Sequence, residues 1–215
     1  MNLWLAKNES YSFWVAALTN IKNGINYLPK KDKLSGKSVA IIGTGPAGLS
    51  CAYYLLTHGH NCTLFDKNEK AGGTLRYDIS DNKLPKSALD AEIDIIKKHG
   101  ANFKQNTNIT KELFELEISG KFDAIVIAMG NYSDSILDTF GFNSSKYGLE
   151  INRDTFEVNK DGIFACGNII RSRRMAVTSV AQGKAAANSV HQYLNNIEPQ
   201  KKKRLFNSKF GKLPN

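Results

Sequence analysis

Gly43, Gly45 and Gly48 stand in the pattern GxGxxG, inside the stretch VAIIGTGPAGLSCAYYLL. A short apolar run precedes the glycines and a helix-forming run follows them, so they occupy a turn from strand to helix. In such a turn the first glycine permits the tight reversal and the second lets a pyrophosphate approach the backbone. The third lets helix and strand pack closely. The helix start adds free N–H groups and the positive end of the helix dipole, both suited to phosphate. Asp66 ends the next apolar run, 18 residues past Gly48. A carboxylate at that spacing accepts hydrogen bonds from an adenosine ribose and favours one without a phosphate. These residues point to dinucleotide binding.

The other reactive residues suggest less. The three cysteines, Cys51, Cys62 and Cys166, form no CxxC pair. That excludes a disulfide framework, a cysteine-ligated iron–sulfur cluster and a dithiol redox centre within this chain. It fits a reducing, cytoplasmic setting. Cys166 is either a redox candidate or a small core residue, and a lone cysteine without a resolving partner favours the second. Cys51 and Cys62 read as core, and His58 and His60 as structural. Arg171, Arg173 and Arg174 read equally as anion ligands or as solvated charge. No Ser/His/Asp set or carboxylate pair supports a hydrolase.

The elements that must position these residues follow from periodicity. Strands are predicted over Val39–Ile42, Asn61–Phe65, Ala101–Lys104, 122–130 and Gly162–Cys166. Helices are predicted over Pro46–His58, Lys86–Lys98 and Ala176–Tyr193. Gly59 and Gly100 end the first two helices. Strands alternating with helices imply an α/β fold, a single Rossmann-like domain with a central parallel sheet covered on both faces. Tyr11, Trp14, Leu18, Ile21, Ile25 and Leu28 recur at helical spacing, so residues 1–30 predict an amphipathic helix. Its apolar face suits either its own domain or a partner. Residues 31–36 read as a linker, 37–197 as the cofactor-binding domain and 198–215 as a basic tail.

The formal net charge of +9 sits mostly at the ends. Residues 1–36 carry five lysines against two acids, and residues 198–215 carry six basic groups against one. The central 161 residues hold 18 basic against 17 acidic groups. A nearly neutral body argues against nucleic-acid binding, and no apolar run approaches the ~18 residues of a membrane span.

The stretch GTGPAGLSCAYYLLTHGHNCTLFDKNEKAGGTLRYDISDNKLPK resembles the FAD-binding segment of the glutamate synthase small subunit family. The family's acidic residue, Gly-Gly-x-Leu loop and basic-Leu-Pro motif correspond to Asp66, Gly72-Gly73-Thr74-Leu75 and Lys83-Leu84-Pro85. FDAIVIAMG (122–130) is similar to the family's second element, with Met129 in place of Thr. GIFACGNIIRSRRMAVTSVAQGKAAANSV (162–190) is similar to its third, which places the ribityl chain and flavin over a helix N-terminus. The resemblance covers about residues 37–212. Departures are Asn168 for the usual Asp, and Asp78 and Ser80 for Gly and Pro. An Asn oxygen still accepts a ribityl hydrogen bond, without the charge.

The resemblance implies FAD as cofactor. Gly43, Gly45, Pro46, Ala47 and Gly48 then serve the pyrophosphate, and Asp66 and Lys67 the adenosine end. Gly73, Thr74, Leu75, Lys83 and Ile109 follow along the chain, then Ala128 and Gly130, and finally Gly167, Asn168, Ala176 and Val177 at the flavin end. It also makes one lack informative. In the family a second nucleotide-binding domain, with its own GxGxxG, separates the second and third elements and holds NAD(P)H. Here AMGNYSDSILDTFGF joins them directly, with no second glycine-rich turn. The N-terminal cysteines that hold iron–sulfur clusters in longer members are missing too. The expected protein is therefore an FAD-binding electron-transfer subunit of a larger oxidoreductase complex. Another redox protein would supply its donor or acceptor, and the chain would not use NAD(P)H by itself. Two alternatives stay open: a non-catalytic FAD- or ADP-binding interaction module, and a small flavin enzyme acting on a free substrate.

Overall fold

The computed structural model describes residues 28–131, 140–170 and 175–198. The helix expected over 1–30 falls outside them except for its last three residues. The tail beyond Glu198 and the three clustered arginines also fall outside.

Strand β1 (Ser38–Ile42) runs into helix α1 (Pro46–Thr57), and β2 (Asn61–Phe65) follows. A four-residue helix α2 (Thr74–Tyr77), helix α3 (Lys86–Lys98), strand β3 (Asn102–Lys104) and helix α4 (Lys111–Glu117) come next. Strand β4 (Ala124–Ile127), a small antiparallel pair β5 (Ser144–Ser145) and β6 (Gly148–Leu149), strand β7 (Ile163–Ala165) and helix α5 (Ala176–Leu194) complete the order. Five strands form one parallel sheet in the order β3-β2-β1-β4-β7, the Rossmann-like arrangement expected.

Strand periodicity divides the core into two. Val39, Ile41, Cys62, Leu64, Val126 and Phe164 face the side covered by α1, α3 and α5. Their sequence neighbours Ala40, Ile42, Phe65, Ile125, Ile127 and Ala165 face α4 and the aromatic residues Phe114, Phe140 and Phe142. Because both faces are covered, the central strands read as unbroken apolar runs rather than as alternating ones. Each fully buried Val, Leu, Ile or Phe side chain among them contributes about 1.5–3 kcal/mol.

The strand expected over 122–130 ends at Ile127. Ala128 N–H still donates to the Ile42 carbonyl at 2.8 Å, after which the chain leaves the sheet through Gly130, whose φ of +76° suits glycine. Helix α4 was not anticipated. It is only seven residues long, with Thr110 as N-cap accepting from Leu113 N–H at 3.3 Å. Residues 31–36 are coil, as a linker would be, yet tied down. Asp32 N–H donates to the Thr57 carbonyl at 2.8 Å and Ser35 N–H to the Gly59 carbonyl at 3.0 Å.

Candidate functional site

The first turn shows three different uses of glycine. Gly43 has φ of +109°, and a Cβ there would lie 2.3 Å from the Ala128 carbonyl oxygen. A Cβ on Gly48 would lie 2.0 Å from the Gly43 carbonyl oxygen. These two allow β1, α1 and β4 to converge. A Cβ on Gly45 would meet nothing within 4 Å, because that position opens onto a cavity.

The cavity has a volume of about 800 Å³ and lies at the C-terminal ends of the parallel strands. That is where ligands bind in open α/β sheets, and the volume falls within the usual range for cofactor sites. Every residue singled out from the sequence lines it except Gly48, Lys83 and Val177. Gly48 lies under the turn as a packing residue. Lys83 is exposed on the surface, and Val177 lies in the first turn of α5 without lining the cavity. The backbone folds further wall residues into place: Asn68, Tyr77, Asp78, Ile79, Thr107, Asn108, Met129, Asn131, Met175 and Ser179. None of them is assigned to the cofactor from the sequence; most arrive on loops at the strand ends, while Tyr77 comes from α2 and Ser179 from α5.

Helices α1 and α5 both begin at this cavity. Neither has a side-chain cap or an acidic residue in its first turn, so among the described residues no side chain matches their free N–H groups and positive dipole ends. The two helices meet through small residues. A Cβ on Gly183 would lie 2.3 Å from the Ala47 carbonyl oxygen, and Ser50 Oγ donates to the Val180 carbonyl at 2.8 Å. Gly167 also lies close to α1, its missing Cβ 2.8 Å from that of Ala47, and its N–H donates to Gln182 Oε1 at 3.0 Å. Asn168 lines the cavity next to it, with Oδ1 3.5 Å from the Ser179 hydroxyl.

The loop after β2 packs on the glycine turn. Gly72 N–H donates to the Thr44 carbonyl at 2.9 Å, and a Cβ on Gly73 would lie 2.8 Å from Gly45 Cα. Lys86 Nζ donates to the Leu75 carbonyl at 3.0 Å and also to that of Ile79. Arg76 is bound to the Ala71 carbonyl and to Asp90. These basic groups brace the loop rather than line the cavity. Among the described residues, Asp66, Lys67 and Asp78 are the charged side chains on its wall.

Cys166 is fully buried, and burial pushes its thiol up to about 12. It is a thiol at neutral pH and an inert core residue, as are the equally buried Cys51 and Cys62. His58 and His60 lie at the opposite end of the sheet from the cavity. His58 stacks on His191 at 4.2 Å, and a ring nitrogen of His60 is 2.9 Å from one of His191. Among the described residues no cluster of His, Cys, Asp or Glu could hold a metal ion, and no helix is long and apolar enough to cross a membrane.

Comparison with known proteins agrees with this geometry. The family model for pyridine nucleotide-disulphide oxidoreductases matches residues 31–185. The glutamate synthase [NADPH] small chain of Mycobacterium tuberculosis is 38% identical over 98 residues, 46% of this chain and 20% of that protein. The NADPH-Fe(3+) oxidoreductase subunit beta of Geobacter sulfurreducens is 33% identical over 135 residues, 60% of this chain and 20% of that protein. The matched stretch thus spans about a fifth of the length of these curated relatives. Among solved structures, Thermovibrio ammonificans THI4 superposes with a TM-score of 0.52 at 16% identity, covering 84% of this chain and 95% of that one. The similarity to glutamate synthase small chains, read from three ordered motifs, is borne out.

Proposed function

The chain belongs to the pyridine nucleotide-disulphide oxidoreductase family, and from that premise we propose that it binds FAD and serves as an electron-transfer subunit of a larger oxidoreductase complex. The observation that carries this reading is the single cavity bounded by bare glycine backbone at Gly45 and by two uncapped helix N-termini. An elongated, doubly charged dinucleotide fits such a wall. The N–H groups of the first turn of α1 would hold the pyrophosphate, and the cavity opened at Gly45 leaves room for its approach. Asp66, Lys67 and Ile109 lie at the adenosine side. Gly167, Asn168 and the start of α5 lie at the flavin side, where the helix dipole would favour negative charge on the ring. FAD supplies, when bound, electron-transfer chemistry that no side chain on this wall provides.

The partner is the second part of the proposal. Relatives named as a small chain or a subunit beta belong to multi-subunit oxidoreductases. The sequence itself has one GxGxxG turn and no CxxC pair. A nicotinamide would need its reactive carbon held about 3–3.5 Å from the flavin, and such positioning is worth ~7–11 kcal/mol of barrier. Without a second phosphate-binding turn, the donor or acceptor would come through a protein interface, in a cytoplasmic setting consistent with three buried free thiols.

The test is anaerobic mixing of the FAD-loaded chain with NADH or NADPH while following flavin absorbance. Bleaching should be slow with either nicotinamide alone and fast once a co-purifying redox partner and its donor are added. Rapid, saturable bleaching at micromolar nicotinamide would sink the partner-dependent reading.

A further inference from the structure

We infer that Asn68, rather than Asp66, accepts the adenosine ribose hydroxyl of the bound dinucleotide, and that Asp66 is a positioning residue for Asn68 and for the glycine-rich turn. This rests on the FAD reading above and identifies which group of this chain reads the sugar.

Asp66 is 8% exposed as a residue, and its carboxylate already holds four donors. Its Oδ2 accepts the Thr44 backbone N–H at 2.7 Å and the Thr44 hydroxyl at 2.6 Å. Its Oδ1 accepts the Asn68 backbone N–H and the Asn68 side-chain amide, both at 2.9 Å. An ionised carboxylate offers about four lone-pair sites, so the chain's own donors fill it. These are short, charge-assisted bonds, and a ribose hydroxyl could enter only by leaving one of the chain's donors unpaired. Thr44 is the second residue of the glycine pattern, so the carboxylate pins that turn to the end of β2.

Asn68 is left with the opposite surplus. A carboxylate only accepts, so the amide nitrogen must face Asp66, and the amide oxygen is turned away from it. Among the described residues no donor reaches that oxygen, and Asn68 lies on the cavity wall. Its backbone is fixed as well: the N–H is held by Asp66, and the carbonyl accepts Asn106 N–H at 3.1 Å. A rigid acceptor without a protein donor, next to the acid expected to bind ribose, is placed to take a sugar hydroxyl.

The test is a fluorescence titration of the apo full-length chain with FAD and with analogues lacking the 2′- or 3′-hydroxyl of the adenosine ribose. The wild-type chain should prefer FAD over one analogue by about 2–10-fold, the range of one net hydrogen bond. Asn68→Ala should bring that ratio to about one. Thr44→Ser, which keeps the hydroxyl donor to Asp66, should leave the ratio unchanged. Ratios are taken within each variant, so a change in the folded fraction does not move them. If Asn68→Ala keeps the preference, the Asn68 oxygen does not confer it and the inference is overturned. A wild-type chain with no preference overturns it as well. A wild-type chain that binds no FAD overturns the FAD reading instead.

Discussion

At Gly45 a side chain would project into the cavity and touch nothing, and its φ of −74° suits any residue. Gly45→Val should therefore fold with near wild-type stability while losing FAD, because the new methyl groups occupy the pyrophosphate path. Gly43→Ala and Gly48→Ala should behave differently. Each puts a Cβ within 2.3 Å of a backbone carbonyl oxygen, which cannot swing aside as a side chain can. A destabilisation of about 1–3 kcal/mol is expected for each, as for an overpacked core. Thermal melts beside flavin content after gel filtration separate the outcomes, and a folded Gly45→Val chain with stoichiometric FAD would refute the site. The motif marked these glycines in the sequence because each type is needed at a fixed offset from the strand. It could not disclose that Asp66 is fully engaged, since that depends on Thr44 and Asn68 folding back on it from both sides. Nor could it disclose Ile79 or Met175, which reach the wall from loops, or Tyr77, which reaches it from the end of α2.

Helices α1 and α5 are the elements that set the two ends of the site, and their mutual approach is fixed at Gly183. A Gly→Ala change inside a helix ordinarily gains up to ~1 kcal/mol in helix propensity. Here the added Cβ would sit 2.3 Å from the Ala47 carbonyl oxygen and 3.0 Å from Ser50 Cβ, so the helices must separate. The clash outweighs the propensity gain. Gly183→Ala should lower stability by about 1–2 kcal/mol. It should also weaken FAD binding, because it shifts two helix N-termini that share one ligand. Urea denaturation and a binding titration measure the two effects; a stabilised variant with unchanged affinity would show that the crossing is not tight. Elements of this length were legible in the sequence. Strand Asn61–Phe65 and helix Lys86–Lys98 have the predicted limits, since glycine or a polar break ends each one. Helix α4 and the β5–β6 pair were not legible, because seven residues and two residues are too short for a period to register.

Across the whole molecule, three buried ionisable groups at a distance from the cavity set the pH range of stability. Burial, aided by the neighbouring His191 and His58 rings, lowers His60 to about 4, and burial aided by Lys31 lowers His99 to about 4. The unfolded chain binds protons at both positions below about pH 6.5 while the folded chain does not. Their stabilising contribution is thus complete above pH 6.5 and lost as pH falls towards 4. Glu92 acts in the other direction. It sits in α3 among Leu89, Ile93 and Ile96 with neither carboxyl oxygen hydrogen-bonded, and burial raises it to about 8. The folded chain keeps that proton after the unfolded chain has released it, so stability declines as pH rises from about 4.5 to 8. Below pH 6.5 the two histidines outweigh the one carboxyl; at 6.5 each unfolded histidine is half protonated and the two together balance Glu92; above it Glu92 dominates. Stability should therefore peak near pH 6.5. From there to pH 8 it should fall by about 1 kcal/mol, since each proton contributes about 1.4 kcal/mol per pH unit. The unfolded histidines oppose the fall over the first unit, and Glu92 itself is half ionised by pH 8. For a chain of this size that corresponds to a Tm lower by about 2–4 °C. Glu92→Gln keeps the shape of the side chain and removes its titration, so it should flatten the alkaline arm and steepen the acid arm, which the carboxyl opposes between about pH 4.5 and 6.5. Melting curves of both proteins from pH 5 to 9 measure this directly, and an alkaline arm that persists in Glu92→Gln would assign the decline to another group.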